Sequence, residues 1–306
     1  MAEQVKPPAV SYEPFFFEEL KSVPEPISKI LQDYSGVPPD QQTEHILKVR
    51  NRAYKAYPYP CLGRFRFLEL DISRHPQYKE YVLPILTGVE QTQGWKPVFL
   101  DLSSCLGQDL RKLAFDGVNP QWLWGSDIHQ DFIDAGYELF RDEHKMPKDH
   151  FICPADVFDN SEGNNLSVLD GRVDMMHVTA VFHLFNREQE DLLAARCLRL
   201  LNKNRPSGVD GLIFGSQVGN IDAREFVRAN GSRRYRHNEQ SWRKMWESVC
   251  NREEFKSKVK GVKVEVELRH RSMDQMKAGE LHKHIGKEEE GFRWMVWTVW
   301  IEFTKG

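Results

Sequence analysis

The stretch Lys96–Asp116, KPVFLDLSSCLGQDLRKLAFD, decides how the rest of the chain is read. Pro97, Val98, Phe99 and Leu100 form a short apolar run that ends on Asp101. Ser103, Ser104, Cys105, Leu106 and Gly107 make a tight turn, and Gln108–Phe115 carries Leu110, Leu113 and Ala114 at helical spacing. The order is strand, small-residue loop, helix. Such a loop lets backbone N–H groups approach a ligand, and the positive end of the following helix favours an anionic or polar ligand edge.

Two classes of small molecule are held this way, dinucleotides and S-adenosylmethionine. A dinucleotide loop carries GxGxxG so that the pyrophosphate can sit on the helix. Of the comparable positions Ser103, Cys105 and Gly107, only the last is glycine. Asp101 at the strand end would also repel phosphate, whereas it suits the ammonium of a methionine moiety, which favours S-adenosylmethionine. Taken alone, the stretch reads better as a turn in any α/β domain.

The chain beyond it repeats the pattern. Trp122–Asp127 reads as a second strand ending in an acid, and Asp127 lies 20 residues past Gly107. That is the distance at which an α/β cofactor domain sets a carboxylate on ribose hydroxyls. Helix Asp131–Phe140 follows, then a third strand at His150–Cys153 leading to Pro154-Ala155-Asp156-Val157. There an acid can accept from an exocyclic adenine amine while Val157 packs on the ring. Singly, each Asp also fits a helix cap or a turn. Arg172–Ala180 is a fourth strand, Asn186–Leu201 a long helix, and Leu212–Ser216 a fifth strand preceded by the turn residues Ser207 and Gly208. Five strands alternating with helices define a doubly wound, mainly parallel sheet. Helix Ser241–Cys250 then leads into two late alternating runs, Gly261–Arg269 and Phe292–Phe303, with no long helix between them, so an antiparallel addition at the sheet edge is expected.

Residues 1–92 read as an N-terminal extension and substrate lid, and 93–306 as the cofactor-binding domain. The extension is rich in proline, carries Phe15, Phe16 and Phe17 in a row, and has one helical pattern from Asp40 to Tyr57. The aromatic triplet packs on the main domain or covers a second copy, which makes a homodimer an expectation. In AYPYPCLGRFRF, Tyr57, Tyr59, Phe65 and Phe67 alternate with Pro58, Pro60 and Gly63, a pattern that suits the rim of an apolar substrate pocket as well as simple packing. Tyr59 and Arg64 from this segment are assigned to substrate. Tyr78–Leu86 reads as one more helix.

The totals bound the function. At 306 residues the chain can bury a full core, and a net charge of -3 offers no general field for nucleic acid. Cys61, Cys105, Cys153, Cys197 and Cys250 have no CxxC spacing, so they read as reduced thiols. The opening MAEQVKPPAV has no apolar signal core and no run reaches membrane-spanning length, so a cytoplasmic protein is expected. His282 and His284 lack partners at ligand spacing, and no metal is assigned.

Together, FLDLSSCLGQDLRKLAFDGV, LWGSDI, FICPADVF and VDMMHVTAVFHLFNREQE resemble the class I S-adenosylmethionine-dependent methyltransferases. More closely, they look like the fungal group that methylates carboxyl or hydroxyl oxygens of meroterpenoid and polyketide intermediates. The likeness covers most of the chain and is most specific in DLxxCxGQDLR. It implies a Rossmann-like, seven-stranded α/β sheet with an antiparallel edge strand, and S-adenosyl-L-methionine as cofactor. It further implies that Asp101, Ser103 and Gly107 cradle the methionine portion, Asp127 with Ile128 the ribose, and Asp156 with Val157 the adenine. Thr179 and Ala180 would lie beneath the sulfonium. The group usually carries glycine where this chain has Ser103, whose Cβ crowds the methionine end.

Methyl transfer needs nucleophile, methyl and sulfur held in line, with reacting atoms about 3–3.5 Å apart in a site closed to water. A carboxylate is already ionised at neutral pH, while a phenol gains from a nearby histidine. His183, after the fourth strand, is the candidate base or substrate orienter, with packing as the competing reading; His177, inside the strand, reads as a satisfied core residue. Gln217, after the fifth strand, can donate to a substrate carbonyl, and a turn role fits it equally well. Arg228, Arg233, Arg234 and Arg236 cluster in RANGSRRYRH, which fits an anion site or a solvated loop. The reading is an O-methyltransferase that esterifies a hydrophobic natural-product acid. Hydroxyl or carbon methylation, and a non-catalytic protein that kept the fold, stay open beside it.

Overall fold

The computed structural model describes residues 16–88, 94–205, 211–227, 231–270 and 290–304. Phe15, Ser207, Gly208, Arg228, His282 and His284 lie outside these.

Ahead of the sheet come α1 (Glu25–Lys29), α2 (Pro39–Ala56), α3 (Pro60–Gly63), α4 (Asp71–Arg74) and α5 (Leu83–Thr87), with single π turns at Ile30–Tyr34 and Tyr78–Val82. The sheet then alternates with helices: β1 (Phe99–Leu102), α6 (Gln108–Phe115), β2 (Leu123–Ser126), α7 (Gln130–Phe140), β3 (Phe151–Ile152), β4 (Met175–His177), α8 (Arg187–Leu200) and β5 (Gly211–Asn220). After a hairpin of β6 (Arg224–Val227) and β7 (Arg233–Arg236) come α9 (Glu239–Cys250), β8 (Val259–Arg269) and β9 (Phe292–Phe303).

The seven-stranded sheet runs β3-β2-β1-β4-β5-β9-β8. β1 to β5 are parallel, β9 lies antiparallel against β5, and β8 pairs antiparallel with β9 at the rim. The doubly wound sheet with its antiparallel addition is thus the one expected. Period-two alternation sorts the parallel strands onto two faces. Phe99, Leu123, Met175, Leu212 and Phe214 pack with Leu110 and Leu113 of α6, Ile133 and Tyr137 of α7, and Leu86 of α5. Leu100, Leu102, Met176, Val178 and Ile213 pack with α8 and α9. On that second face Phe182, Trp242, Trp246 and Trp297 form one aromatic cluster, with Trp242 and Trp297 ring centroids 4.9 Å apart.

The helix ends follow from sequence. Asn186 and Asn238 each close a capping box at the start of α8 and α9, and Pro39 stands in the first turn of α2, where its missing N–H costs nothing.

The extension is not loosely attached. Arg50 is buried between the rings of Phe16 and Phe65, 4.1 and 4.2 Å from their centroids, and donates to the Phe17 and Gly63 carbonyls. Ile46, Val49, Ala53 and Leu62 share a core with Leu106 of the small-residue loop and Phe132, Leu139 and Phe140 of α7. Phe16 and Phe17, expected to seek burial, are half-buried, Phe17 against this core and Phe16 with its ring 4.8 Å from that of Tyr54.

The RRYR run, for which a solvated loop was one expectation, is instead β7, antiparallel to β6. Arg236 is buried there and donates to the His183 carbonyl at 2.5 Å, while Tyr235 N–H donates to the Phe185 carbonyl at 2.8 Å. Long arginine stems bury along apolar surface, so a run of charges can line an interior edge.

Candidate active site

The loop Ser103–Gly107 hangs on the end of β2. Ser104 N–H donates to the Ser126 carbonyl at 2.8 Å, and Gly107 N–H closes the turn on the Ser104 carbonyl at 2.8 Å. Ser103, Cys105 and Gly107 all have left-handed backbones, with φ of 63°, 53° and 62°. Only Gly107 takes this conformation without strain. It also has no room for a side chain: a Cβ there would lie 2.3 Å from Arg111 Nη1 and 3.1 Å from the Phe151 ring. From the other side, α7 leans in so closely that a Cβ on Gly136 would meet the Leu106 carbonyl oxygen at 2.4 Å.

Arg111 fixes the base of the loop. Its Nη1 donates to the Leu106 carbonyl at 3.2 Å, and its Nε and Nη2 form a fork on Asp142 at 2.9 and 3.1 Å. Both side chains are fully buried, and the Tyr34 hydroxyl adds a further bond to Asp142 at 2.9 Å.

The sequence-derived acids stand at the carboxyl ends of adjacent strands. Asp127, buried just past β2, accepts Cys105 N–H at 3.0 Å and His129 N–H at 3.1 Å, tying strand, loop and the start of α7 together. Burial pushes its carboxyl up to about 6, against the backbone donors that favour its charge. Each oxygen has used one acceptor site and keeps another. Ile128 beside it is 47% exposed, an apolar side chain turned to solvent. Ala155 N–H donates to the Asp127 carbonyl at 2.9 Å, which brings the β3 end alongside. Asp156 is exposed and accepts Phe158 N–H at 2.9 Å in its own turn. Val157 faces the core and is 8% exposed.

Asp101 lies opposite His177 in the β1–β4 register. His177 Nδ1 is 2.9 Å from Asp101 Oδ1 and its Nε2 is 2.8 Å from Thr179 Oγ1. The Thr179 hydroxyl oxygen also accepts Ser216 N–H at 3.2 Å, and Ala180, with φ of 60°, donates its N–H to the Ser216 carbonyl at 2.8 Å. Asp101, Asp109 and His177 offer ligand atoms within 4.8 Å of one another. His177 is thus a satisfied buried histidine, as expected, but its partners are two of the proposed cofactor residues. Period-two alternation along Met175, His177 and Thr179 carried that signal; the strand register that makes it useful is a tertiary fact.

The substrate-side residues are divided. Tyr59 stacks with Tyr57 at 4.3 Å and packs on Phe132 at 5.8 Å. Burial, then Tyr57 and Asp127, raise its hydroxyl pKa. Arg64 is half-buried, and burial with the neighbouring Arg66 lowers its guanidinium to about 10. Arg66 pairs with Asp71 and lies 4.0 Å over the Trp294 ring. Gln217 on β5 is 1% exposed, and neither its amide oxygen nor its nitrogen has a hydrogen-bond partner among the described residues. His183 sits half-buried in the turn Phe182–Leu184 that follows β4.

A β3-β2-β1-β4-β5-β9-β8 sheet whose first strand ends in an acid and a left-handed loop defines a class I S-adenosylmethionine-dependent methyltransferase. The chain belongs to a fungal methyltransferase family. Residues 15–68 match a family model described as the meroterpenoid methyltransferase N-terminal domain. The chain is 40% identical to the O-methyltransferase phiE of Fungal sp. (strain ATCC 74256) over 74% of its own length and 71% of that protein. It is 37% identical to the methyltransferase ausD of Penicillium brasilianum over 82% of each chain, and 35% identical to the asnovolin E/chermesin D methyltransferase nvfJ of Aspergillus novofumigatus over 76% of its length and 78% of that protein. Among solved structures, a Haemonchus contortus phosphoethanolamine N-methyltransferase with S-adenosylhomocysteine is 12% identical, with a TM-score of 0.47 over 83% of this chain and 60% of that one.

Among the described residues no helix is long and apolar enough to cross a membrane.

Proposed function

We propose that the chain methylates a carboxylate oxygen of a hydrophobic fungal meroterpenoid or polyketide intermediate, with the cofactor across the carboxyl ends of β1 to β4. The observation that carries the reading is Asp127, one carboxylate that accepts from the cofactor loop and from the start of α7 while keeping acceptor capacity on both oxygens. The residues fit the cofactor: Asp101 keeps a buried oxygen with no hydrogen-bond partner among the described residues, and Ile128 offers an exposed apolar surface next to Asp127. On this reading Asp101, Ser103 and Gly107 hold the methionine portion, Asp127 and Ile128 the ribose, Asp156 and Val157 the adenine, and Thr179 and Ala180 line the floor under the sulfur. When bound, S-adenosylmethionine supplies a methyl carbon activated by its sulfonium leaving group.

The chain's own part is to orient and to exclude water. Residues 1–92 form the lid, with Tyr59 closing over the ribose side. Arg64 and Gln217 receive the substrate's carboxylate and carbonyl: the half-buried guanidinium offers charge complementarity, and the buried Gln217 amide regains the hydrogen bonds it lacks among the described residues. An ionised carboxylate needs no proton removed, so His183 orients it; for a hydroxyl substrate the same imidazole would act as base. A relative named as an O-methyltransferase supports oxygen as the acceptor, and the meroterpenoid methyltransferase model matched by residues 15–68 supports the substrate class. Self-association is part of the reading, and light scattering in solution checks it: a dimer is expected, a monomer removes it.

The test is a mass-shift screen with S-adenosylmethionine and candidate natural-product acids and phenols, followed by base hydrolysis of each product. A methyl ester that regenerates its acid is expected; a base-stable methyl ether or carbon-methylated product would overturn the carboxylate assignment.

A further inference from the structure

Beneath the proposed methionine subsite lies a buried group of ionisable side chains that methyl transfer itself does not require. Asp101, Asp109 and His177 are each at most 3% exposed and offer ligand atoms within 4.8 Å of one another. Two of the three are internally satisfied. Asp109 accepts Ile72 N–H and the Gln108 side-chain amide, both at 3.0 Å. His177 is held at both ring nitrogens, by Asp101 Oδ1 and by Thr179 Oγ1. Asp101 Oδ2 has no hydrogen-bond partner among the described residues. An unpaired buried carboxylate oxygen is costly, and this one stands at the end of β1, beside the loop.

Asp127, which feels the charge of Asp101, is held by Cys105 and His129 N–H, and burial lifts its carboxyl to about 6. Asp71 of α4 is paired with Arg66. His75 bonds the Trp297 carbonyl and is held neutral, its pKa pushed down to about 3 by burial and then by His177. Burial works against a charged His177, but Asp101, Asp109 and Asp71 outweigh it and raise the ring above its ordinary value. Burial lifts Asp109 to about 7.

We propose that His177 is a positioning residue for the cofactor. It grips Asp101 by one oxygen, presents the other to the α-ammonium of the methionine portion, and the Asp101–His177–Asp109 cluster gives up a proton when that cation arrives. This rests on the cofactor position proposed above. The charge argument is local: an ammonium beside Asp101 sets a second cation close to the imidazolium in a buried site, and like charges there drive one proton off. Linkage then requires tighter cofactor binding as pH rises through the cluster's titration.

The experiment is isothermal titration of the full chain in buffers of different ionisation enthalpy, which counts protons released per ligand. S-adenosylhomocysteine carries the ammonium; 5′-methylthioadenosine has the same nucleoside without it. Net release is expected with the first and clearly less with the second, and equal counts for the two would overturn the proposal. His177→Asn keeps a donor toward Asp101 but cannot titrate in this range, so it should bind S-adenosylhomocysteine within about tenfold of wild type and release markedly fewer protons. An unchanged proton count in that variant would also overturn it. Should His177→Asn fail to fold, the two-ligand comparison on the wild-type chain still decides. Asp127→Ala, titrated alongside, separates the readings: wild-type affinity there removes the cofactor position itself, whereas weakened binding together with equal proton counts for the two ligands removes only the role of His177.

Discussion

At the residue scale the Ser103–Gly107 loop is strained, because two of its three left-handed positions are not glycine. Ser103 and Cys105 hold left-handed backbones that cost an L-residue about 1–2 kcal/mol each. Ser103→Gly should therefore stabilise the chain by about 0.5–1 kcal/mol after the entropy of a freer unfolded chain is subtracted, seen as a higher urea midpoint. Asp127→Ala removes two backbone bonds and the ribose acceptor, and should weaken cofactor binding about ten- to a hundredfold by calorimetry. Asp109 adds a pH signature. Its pKa is raised to about 7 by burial, so the stability it contributes is present below the ordinary carboxylate range and is lost as pH rises through about 7. Asp109→Asn should accordingly gain on wild type between about pH 4 and pH 8, measured by urea midpoints; a constant difference would contradict the assignment. Spacing alone was enough to put Asp127 at a strand end, because the distance from loop to second strand is set by one helix and one turn. It could not pair His177 with Asp101, whose meeting depends on β4 lying beside β1.

At the element scale the Arg111–Asp142 fork joins α6, the loop carbonyls, the turn after α7 and, through Tyr34, the N-terminal extension. Removing one partner leaves an uncompensated buried charge, so Asp142→Ala should destabilise the chain by about 3–5 kcal/mol, and the midpoint of thermal unfolding should fall. Elements with strong periodicity were read almost to the residue: α6 spans Gln108–Phe115 and β9 spans Phe292–Phe303, as the pattern gave them. The β6–β7 hairpin was not, since REFV and RRYR show little apolar alternation and are held by backbone pairing and by contacts of Tyr235 and Arg236 with the segment after β4. β3 and β4 proved shorter than their apolar runs, with residues such as Val178 carrying the apolar pattern past the end of the ladder into the core.

At the scale of the whole molecule, the sheet order brings the carboxyl ends of β1, β2 and β3 side by side, so three acids far apart in sequence share one rim. The extension shares a core with Leu106 of the Ser103–Gly107 loop and with α7, so the two are packed as one body. A crystal structure with S-adenosylhomocysteine tests this arrangement most directly. The account predicts ribose hydroxyls within hydrogen-bond reach of Asp127, about 2.5–3.0 Å, the adenine against Asp156 and Val157, and the amino group at Asp101. Density for the nucleoside anywhere else, with Asp127 bonded only to its two backbone amides, would contradict it.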